Sequence, residues 1–238
     1  MSLGEIFSDA IKYPFSDLTN FLIVGVLALL ASLSSVVTSF GVENSIVLAL
    51  ASIIAFIFAL ILSGYSVDVV KKGIESSNDF PIIDLKDQLI KGIKAIIIGI
   101  VYMIIPIIIA IVLMTVFGVI GAGIDHAVAS LGFASIIVFI IFILFAIFEM
   151  IALARFANTG EMGEALNIGA VFEDVKRIGI LKIIAFVFVL IIIAIIASLI
   201  MSLFAYIPYI GTIIVTLLVG AFMALFSYKA LGLLYADA

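Results

Sequence analysis

The chain has no cysteine, no tryptophan, one histidine and four prolines. Without cysteine there is no disulfide framework, no thiolate metal site and no thiol redox pair. The one histidine, His126, sits in an expected turn beside Asp125. It cannot build a zinc site alone, and no His-Glu-x-x-His pattern supplies neighbours, so no metal is expected. Without tryptophan, any interfacial aromatic belt falls to seven tyrosines and twenty phenylalanines. Charge is scarce too. The 11 basic and 16 acidic residues lie almost wholly between apolar runs, so the net charge of -5 does not describe an acidic surface for basic partners. No feature points to nucleic acid. No serine elbow, phosphate-cradling loop or dinucleotide fingerprint appears, which points away from an enzyme and leaves no cofactor to expect.

What is present is apolar. Two thirds of the 238 residues (66%) are hydrophobic, and mean hydropathy is +1.51. No soluble fold of this size hides that much apolar surface, so the bilayer is the expected solvent. Before the first long run the chain carries Glu5, Asp9 and Asp17 against Lys12, unlike the basic start of a secretory signal. The run itself, residues 18–42, is 25 uncharged residues and reads as a retained span.

The chain is organised around residues 84–118, where a short amphipathic helix runs without a linker into an apolar segment long enough to cross a bilayer. Related units start near residues 9 and 174. The expected fold is an all-α membrane protein: six transmembrane helices in three hairpins, each preceded by a short amphipathic interfacial helix. Spans are expected over about 18–40, 45–67, 95–118, 131–154, 183–205 and 211–230. Interfacial helices are expected over about 2–16, 84–94 and 168–182. Their apolar faces read as Leu3, Phe7, Ala10 and Ile11, then Leu85, Leu89, Ile93 and Ile96, then Ile168, Phe172, Val175 and Gly179. Pro14 ends the first of them, and Pro106 bends the third span. Ala51, Ala55, Ala59 and Ser63 make a small-residue stripe, read either as packing within the chain or as a dimer seam. Turns are expected at Gly41–Asn44, at Asp125-His126 and at Tyr206–Gly211.

The second and third units align from Asp87 to Ile93 and from Asp174 to Ile180, each followed by a lysine. With the first unit they read as a pseudo-threefold repeat; the alternative is that Asp and Lys are common on interfacial helices. Placing both termini and the two long polar segments on one side puts all 11 Lys and Arg there and none on the three short hairpins. The positive-inside rule then makes both ends cytoplasmic, in a multi-pass protein of the cell membrane.

Several residues also carry a family likeness. They are Gly64-Tyr65, Phe80-Pro81, Asp84, Gly92-Ile93-Lys94, Tyr102, Pro106, Ala154-Arg155-Phe156-Ala157, Gly160 and Glu164-Ala165. The pattern resembles archaeal integral membrane proteins catalogued only as a domain of unknown function. That resemblance implies the topology and no activity, ligand or catalytic residue.

Three carboxylates are the candidate binding residues. Glu149 is the one acid inside an apolar run, and charge in hydrocarbon is costly enough to suggest proton or cation handling. It also lies only about 9 Å along a helix from Arg155, within reach of the interface. Asp84 and Asp87, with Asp79 upstream, suit a divalent cation or a lipid headgroup. The plainer account is a helix cap with an acid at the positive dipole end. Glu161, Glu164, Glu173 and Asp174 repeat the pattern later. The expected function is non-enzymatic: organising lipid or partner proteins at the cytoplasmic face. Beyond the lipid bilayer, the expected associations are protein partners or a homo-oligomer. A carrier or channel is the alternative, motivated by Glu149, Pro106 and the Ser32, Ser34, Ser35, Thr38 cluster. A membrane-embedded headgroup enzyme is third, and requires the acidic pairs to converge in one pocket.

Overall fold

The computed structural model describes residues 1–122, 127–204, 207 and 210–238. The expected turn at Asp125-His126, and Tyr206, Pro208 and Tyr209 of the one over Tyr206–Gly211, lie outside the described residues. Among the described residues there is no strand. Five helices are long and apolar enough to cross a membrane: Ser45–Ile74, Leu85–Gly118, Gly132–Thr159, Ile180–Phe204 and Ile210–Tyr235. This is the architecture of a multi-pass membrane protein.

The chain opens with α1 (Leu3–Lys12), held at its start by a reciprocal bond pair between Ser2 and Glu5. A 3-10 turn at Tyr13–Phe15 contains Pro14, and the chain then bends by 87° into α2 (Leu18–Ala31). A right angle of this kind lets α1 lie along the bundle end while α2 enters it. On α1, Ile6 and Ala10 are buried with Leu3 and Phe7 packed beside them, whereas Ile11 faces outward, against expectation.

The first expected span is not one helix. It breaks at Ser32 into α2 and α3 (Leu33–Ser39). Alone, the 14 residues of α2 rise about 21 Å, short of a hydrocarbon core of about 30 Å. Beyond the break, within α3, side-chain hydroxyls bond backbone carbonyls: Thr38 donates to Ser34 O and Ser39 to Val36 O. Counting the bent pair of Leu3–Phe15 and Leu18–Ala31 as one crossing gives at most six crossings, not six single helices.

Helix α4 (Ser45–Ile74) is capped by Asn44, and α5 (Leu85–Ala122) is continuous. The amphipathic segment over 84–94 is the first three turns of α5 and runs into the apolar segment without a break. Its buried face is Gln88, Gly92, Ala95 and Ile98, while Leu85, Ile93 and Ile96 are exposed. In a bilayer this is the sensible polarity, since small residues let helices approach and large apolar ones face lipid. Gly64 and Gly92 make the α4–α5 crossing: a Cβ on either would lie 1.8 Å from a carbonyl oxygen of the other helix. The small-residue stripe is divided: Ala51 and Ala55 are buried within the chain, Ala59 is exposed.

Helix α6 (Ala127–Thr159) leads through a short turn, α7 (Met162–Ala165), to α8 (Ile168–Ile178). Gly179, at φ 94°, ends α8, and α9 (Ile180–Phe204) follows at once. The third interfacial helix is thus four residues shorter than expected, and it is turned. It buries Val171, Asp174, Val175 and Ile178 and exposes Ile168 and Phe172. The buried Asp174 has partners inside the bundle that fix this rotation. Gly92, mid-helix, and Gly179, at a helix break, also show that the two aligned motifs do not share a local structure.

The last crossing is α10 (Ile210–Val215), a π-turn (Thr216–Gly220) and α11 (Ala221–Tyr235). Helix α11 is the hub, with Leu225, Phe226 and Lys229–Tyr235 all buried. It packs against α1, α2, α4, α6 and α9, so the core is densest at the charged end of the bundle.

Candidate functional site

Two separate places hold the carboxylates that the sequence singles out. The first is a groove of about 630 Å³ at the charged end, lined by Asp68, Lys71, Lys72, Glu75, Asp79, Asp84, Asp87 and Lys91 among others. Asp84 accepts the backbone N–H groups of Lys86 and Asp87 at 3.0 and 3.1 Å, capping α5. Asp87 pairs with Lys91 at 2.5 Å, and Lys91 reaches Asp68 on α4 at 2.6 Å. These carboxylates are taken up by a cap and a lysine. Among the described residues no cluster of His, Cys, Asp and Glu is arranged to hold a metal ion.

The rim of this groove is ordered and carries an exposed apolar residue. Phe80 stacks on Tyr13 with ring centroids 4.8 Å apart, and the Tyr13 hydroxyl donates to Asp79 O at 3.2 Å. The Gln88 amide donates to Ile82 O at 3.1 Å. Between these ties the Ile82 side chain stands out, 91% exposed in a polar segment.

The second place is around Glu149, in a groove of about 360 Å³ between α4, α5, α6 and α11. Its polar lining is Ser63, Glu149 and Tyr228. Glu149 Oε1 lies 2.9 Å from where a Cβ on Gly99 would be, so the missing side chain at 99 makes the room. Glu149 and the Asp84–Asp87 pair are not brought together.

A third cluster was not foreseen. Arg155 donates to Asp174 at 2.8 Å and to Glu164 at 2.6 Å, and its Nε reaches Glu164 O at 3.2 Å. The buried Asp174 also accepts the Tyr235 hydroxyl at 2.7 Å. Tyr102 donates to Ala165 O at 2.9 Å. Together these clamp α5, α6, α7, α8 and α11 at one point, a structural rather than a chemical arrangement. Glu161 and Glu173 stay outside it, Glu173 pairing with Lys176. The acidic pairs therefore do not converge in one pocket.

Lys229, one of the 11 basic residues assigned to the charged side, is 1% exposed. It donates to the carbonyls of Lys72, in the last turn of α4, and Ser77, just past it, and lies over the Tyr13 ring at 4.8 Å. Beyond the last helix, partial burial works to raise Asp237. Hydrogen bonds and charge from Lys182 and the Met1 amino group outweigh it and hold the carboxyl below its usual range.

The family described as "Protein of unknown function (DUF4013)" matches residues 47–206. The chain belongs to this family. The DUF4013 match runs from α4 to the end of α9, so it contains the groove of Asp84 and Asp87, Glu149, and the Arg155–Asp174 pair. Tyr228, Lys229 and Tyr235, which complete these clusters from α11, lie beyond it. No curated protein and no solved structure matches the chain.

Proposed function

We propose that this member of the family is a non-enzymatic multi-pass protein of the cell membrane that organises partner proteins or lipid at its cytoplasmic face. One observation carries the reading: Ile82, 91% exposed on a braced rim, stands beside a groove of mixed charge. An exposed apolar anchor beside charged side chains is the make-up of a docking surface, where the anchor gives affinity and the charges give register. The all-or-none distribution of Lys and Arg supports a cytoplasmic position for this end. The clamp at Arg155 and the cap by Lys229 would keep such a platform rigid, which lowers the cost of binding.

Native mass spectrometry of the protein mildly extracted from its own membranes tests this. A stoichiometric partner or tightly held lipid that is lost in Ile82→Ser is the expected result. A bare chain in both proteins, or an adduct indifferent to Ile82, would sink it. Carrier activity is the second reading. The Glu149 groove favours it, and flux across liposomes that falls in Glu149→Gln would establish it.

A further inference from the structure

Independently of the docking face, we infer that the groove between α4, α5, α6 and α11 binds the primary ammonium group of a cationic amphiphile, with Glu149 as its counter-ion.

Three oxygen-bearing side chains from three helices face this groove: Ser63 on α4, Glu149 on α6 and Tyr228 on α11. Among the described residues none of the three has a hydrogen-bond or ion-pair partner. Other span serines behave differently: Ser52, Ser66, Ser198 and Ser202 return their hydroxyls to carbonyls of their own helices. The unpaired groups have been left facing one space.

A carboxylate at this depth calls for a partner. Glu149 sits about 9 Å along α6 from Arg155, and an unpaired charge in hydrocarbon costs several kcal/mol. The nearest cations are committed elsewhere. Arg155 holds Glu164 and Asp174, and Lys94 lies against Phe156, 6.0 Å from the ring centroid. Neither lines the groove. Instead of supplying a cation, the chain makes room for the acid: Gly99 has no side chain where the carboxylate lies.

The chemistry of the ligand follows from what is left open. Three acceptor side chains are too few for a calcium or magnesium shell, which takes six or more oxygens. A primary ammonium has three N–H donors on one positive centre, matching a carboxylate, a hydroxyl and a phenol oxygen. The remaining walls are apolar, with Met103, Leu153, Ile96 and Ile100 among them. Ile96 and Ile100 are themselves exposed on the outer face of α5. A hydrocarbon tail can therefore lie along α5 and leave sideways into lipid, so entry is from the bilayer and not from water.

The test uses the full chain in a neutral maltoside detergent, with decylamine as the probe and native mass spectrometry as the readout. Decylamine is expected to give a one-to-one adduct, and decanol, of the same length without charge, at least tenfold less. Glu149→Gln is expected to lower occupancy at least tenfold. Gly99→Ala keeps the acid but puts a methyl where it lies; a flexible carboxylate can shift, so the fold survives while decylamine occupancy drops at least threefold. Unchanged melting temperatures without probe confirm that both variants are folded. Equal adducts with decanol, equal occupancy in Glu149→Gln, or no adduct at all would overturn the assignment. Ile82→Ser leaves the expected result unchanged, which separates this site from the docking face.

Discussion

Gly73 on α4 and Gly232 on α11 touch backbone to backbone: a Cβ on Gly73 would lie 2.7 Å from the Gly232 Cα. A Cβ on Gly232 would lie 2.1 Å from the carbonyl oxygen of Val70. Neither neighbour is a side chain that can swing away, so the hub helix reaches its depth only because both positions lack one. The contact explains how α11 can be buried on every side while carrying Phe226 and Tyr235.

Gly232→Ala is therefore expected to destabilise by about 1–3 kcal/mol, the usual cost of overpacking, despite alanine's better helix propensity. Gly4→Ala is the control. Nothing lies within 4 Å of a Cβ there, and relief of backbone entropy is expected to leave it neutral or stabilised by up to about 1 kcal/mol. Melting of both variants in detergent decides it; a neutral Gly232→Ala would mean the helices are not this close.

The clamp predicts a different signature. Arg155→Ala strips the buried Asp174 of its cation and leaves it only the Tyr235 hydroxyl. Breaking a buried pair from one side costs about 3–5 kcal/mol. Arg155→Lys is not a rescue, because one ammonium cannot replace a planar fork that grips two carboxylates at once. A double-mutant cycle of Arg155→Ala with Asp174→Ala measures the pairing; additive losses would show that the two residues act separately.

The helical, membrane-spanning character of the chain was legible because long uncharged runs have few physical solutions. The likeness residues also carried more than topology. Gly64 and Gly92 are the α4–α5 crossing, while Tyr102, Arg155, Glu164 and Ala165 are the clamp. What could not be read was which face of each helix turns inward. Apolar periodicity placed Phe172 inside and said nothing of Asp174, because in a bilayer both lipid and core are apolar and packing is decided by small residues and polar pairs. Lys229 was hidden for a similar reason. A lysine near the end of a span reads as solvated, and only the tertiary meeting with the end of α4 reveals its carbonyl partners.

That meeting is testable. Lys229→Met keeps the length and apolar stem but removes the ammonium donor to Ser77 O and one of two donors to Lys72 O, which keeps the Ser77 N–H. The expected loss is about 1–3 kcal/mol, the cost of leaving a partly buried acceptor unsatisfied. Fluorescence of a tryptophan placed at Phe80, which stacks on Tyr13 beneath the ammonium, is expected to shift red in the variant as that corner loosens. An unchanged spectrum together with unchanged melting would show that Lys229 does not hold the end of α4.

Acid should release the opposite tie, between the start of α9 and the end of the chain. Asp237 bonds Lys182 and the Met1 amino group, and these partners hold its carboxyl below the ordinary value of 3.8. A depressed carboxyl stabilises the fold above its unfolded pKa, and that contribution is lost as pH falls through the folded value. The pair is partly buried but still reached by solvent, so its worth is at most about 1 kcal/mol, or roughly 2–4 °C in melting temperature for a chain of this size. Asp237→Asn is accordingly expected to melt below the parent at pH 6. The gap should narrow below pH 3.8 and close once the parent's carboxyl is protonated. Lys182→Met leaves the Met1 amino group on Asp237 and also loses the bond to Met1 O, so its gap should narrow in acid without closing fully. A gap that persists undiminished at the lowest pH would mean that Asp237 contributes through packing and not through its charge.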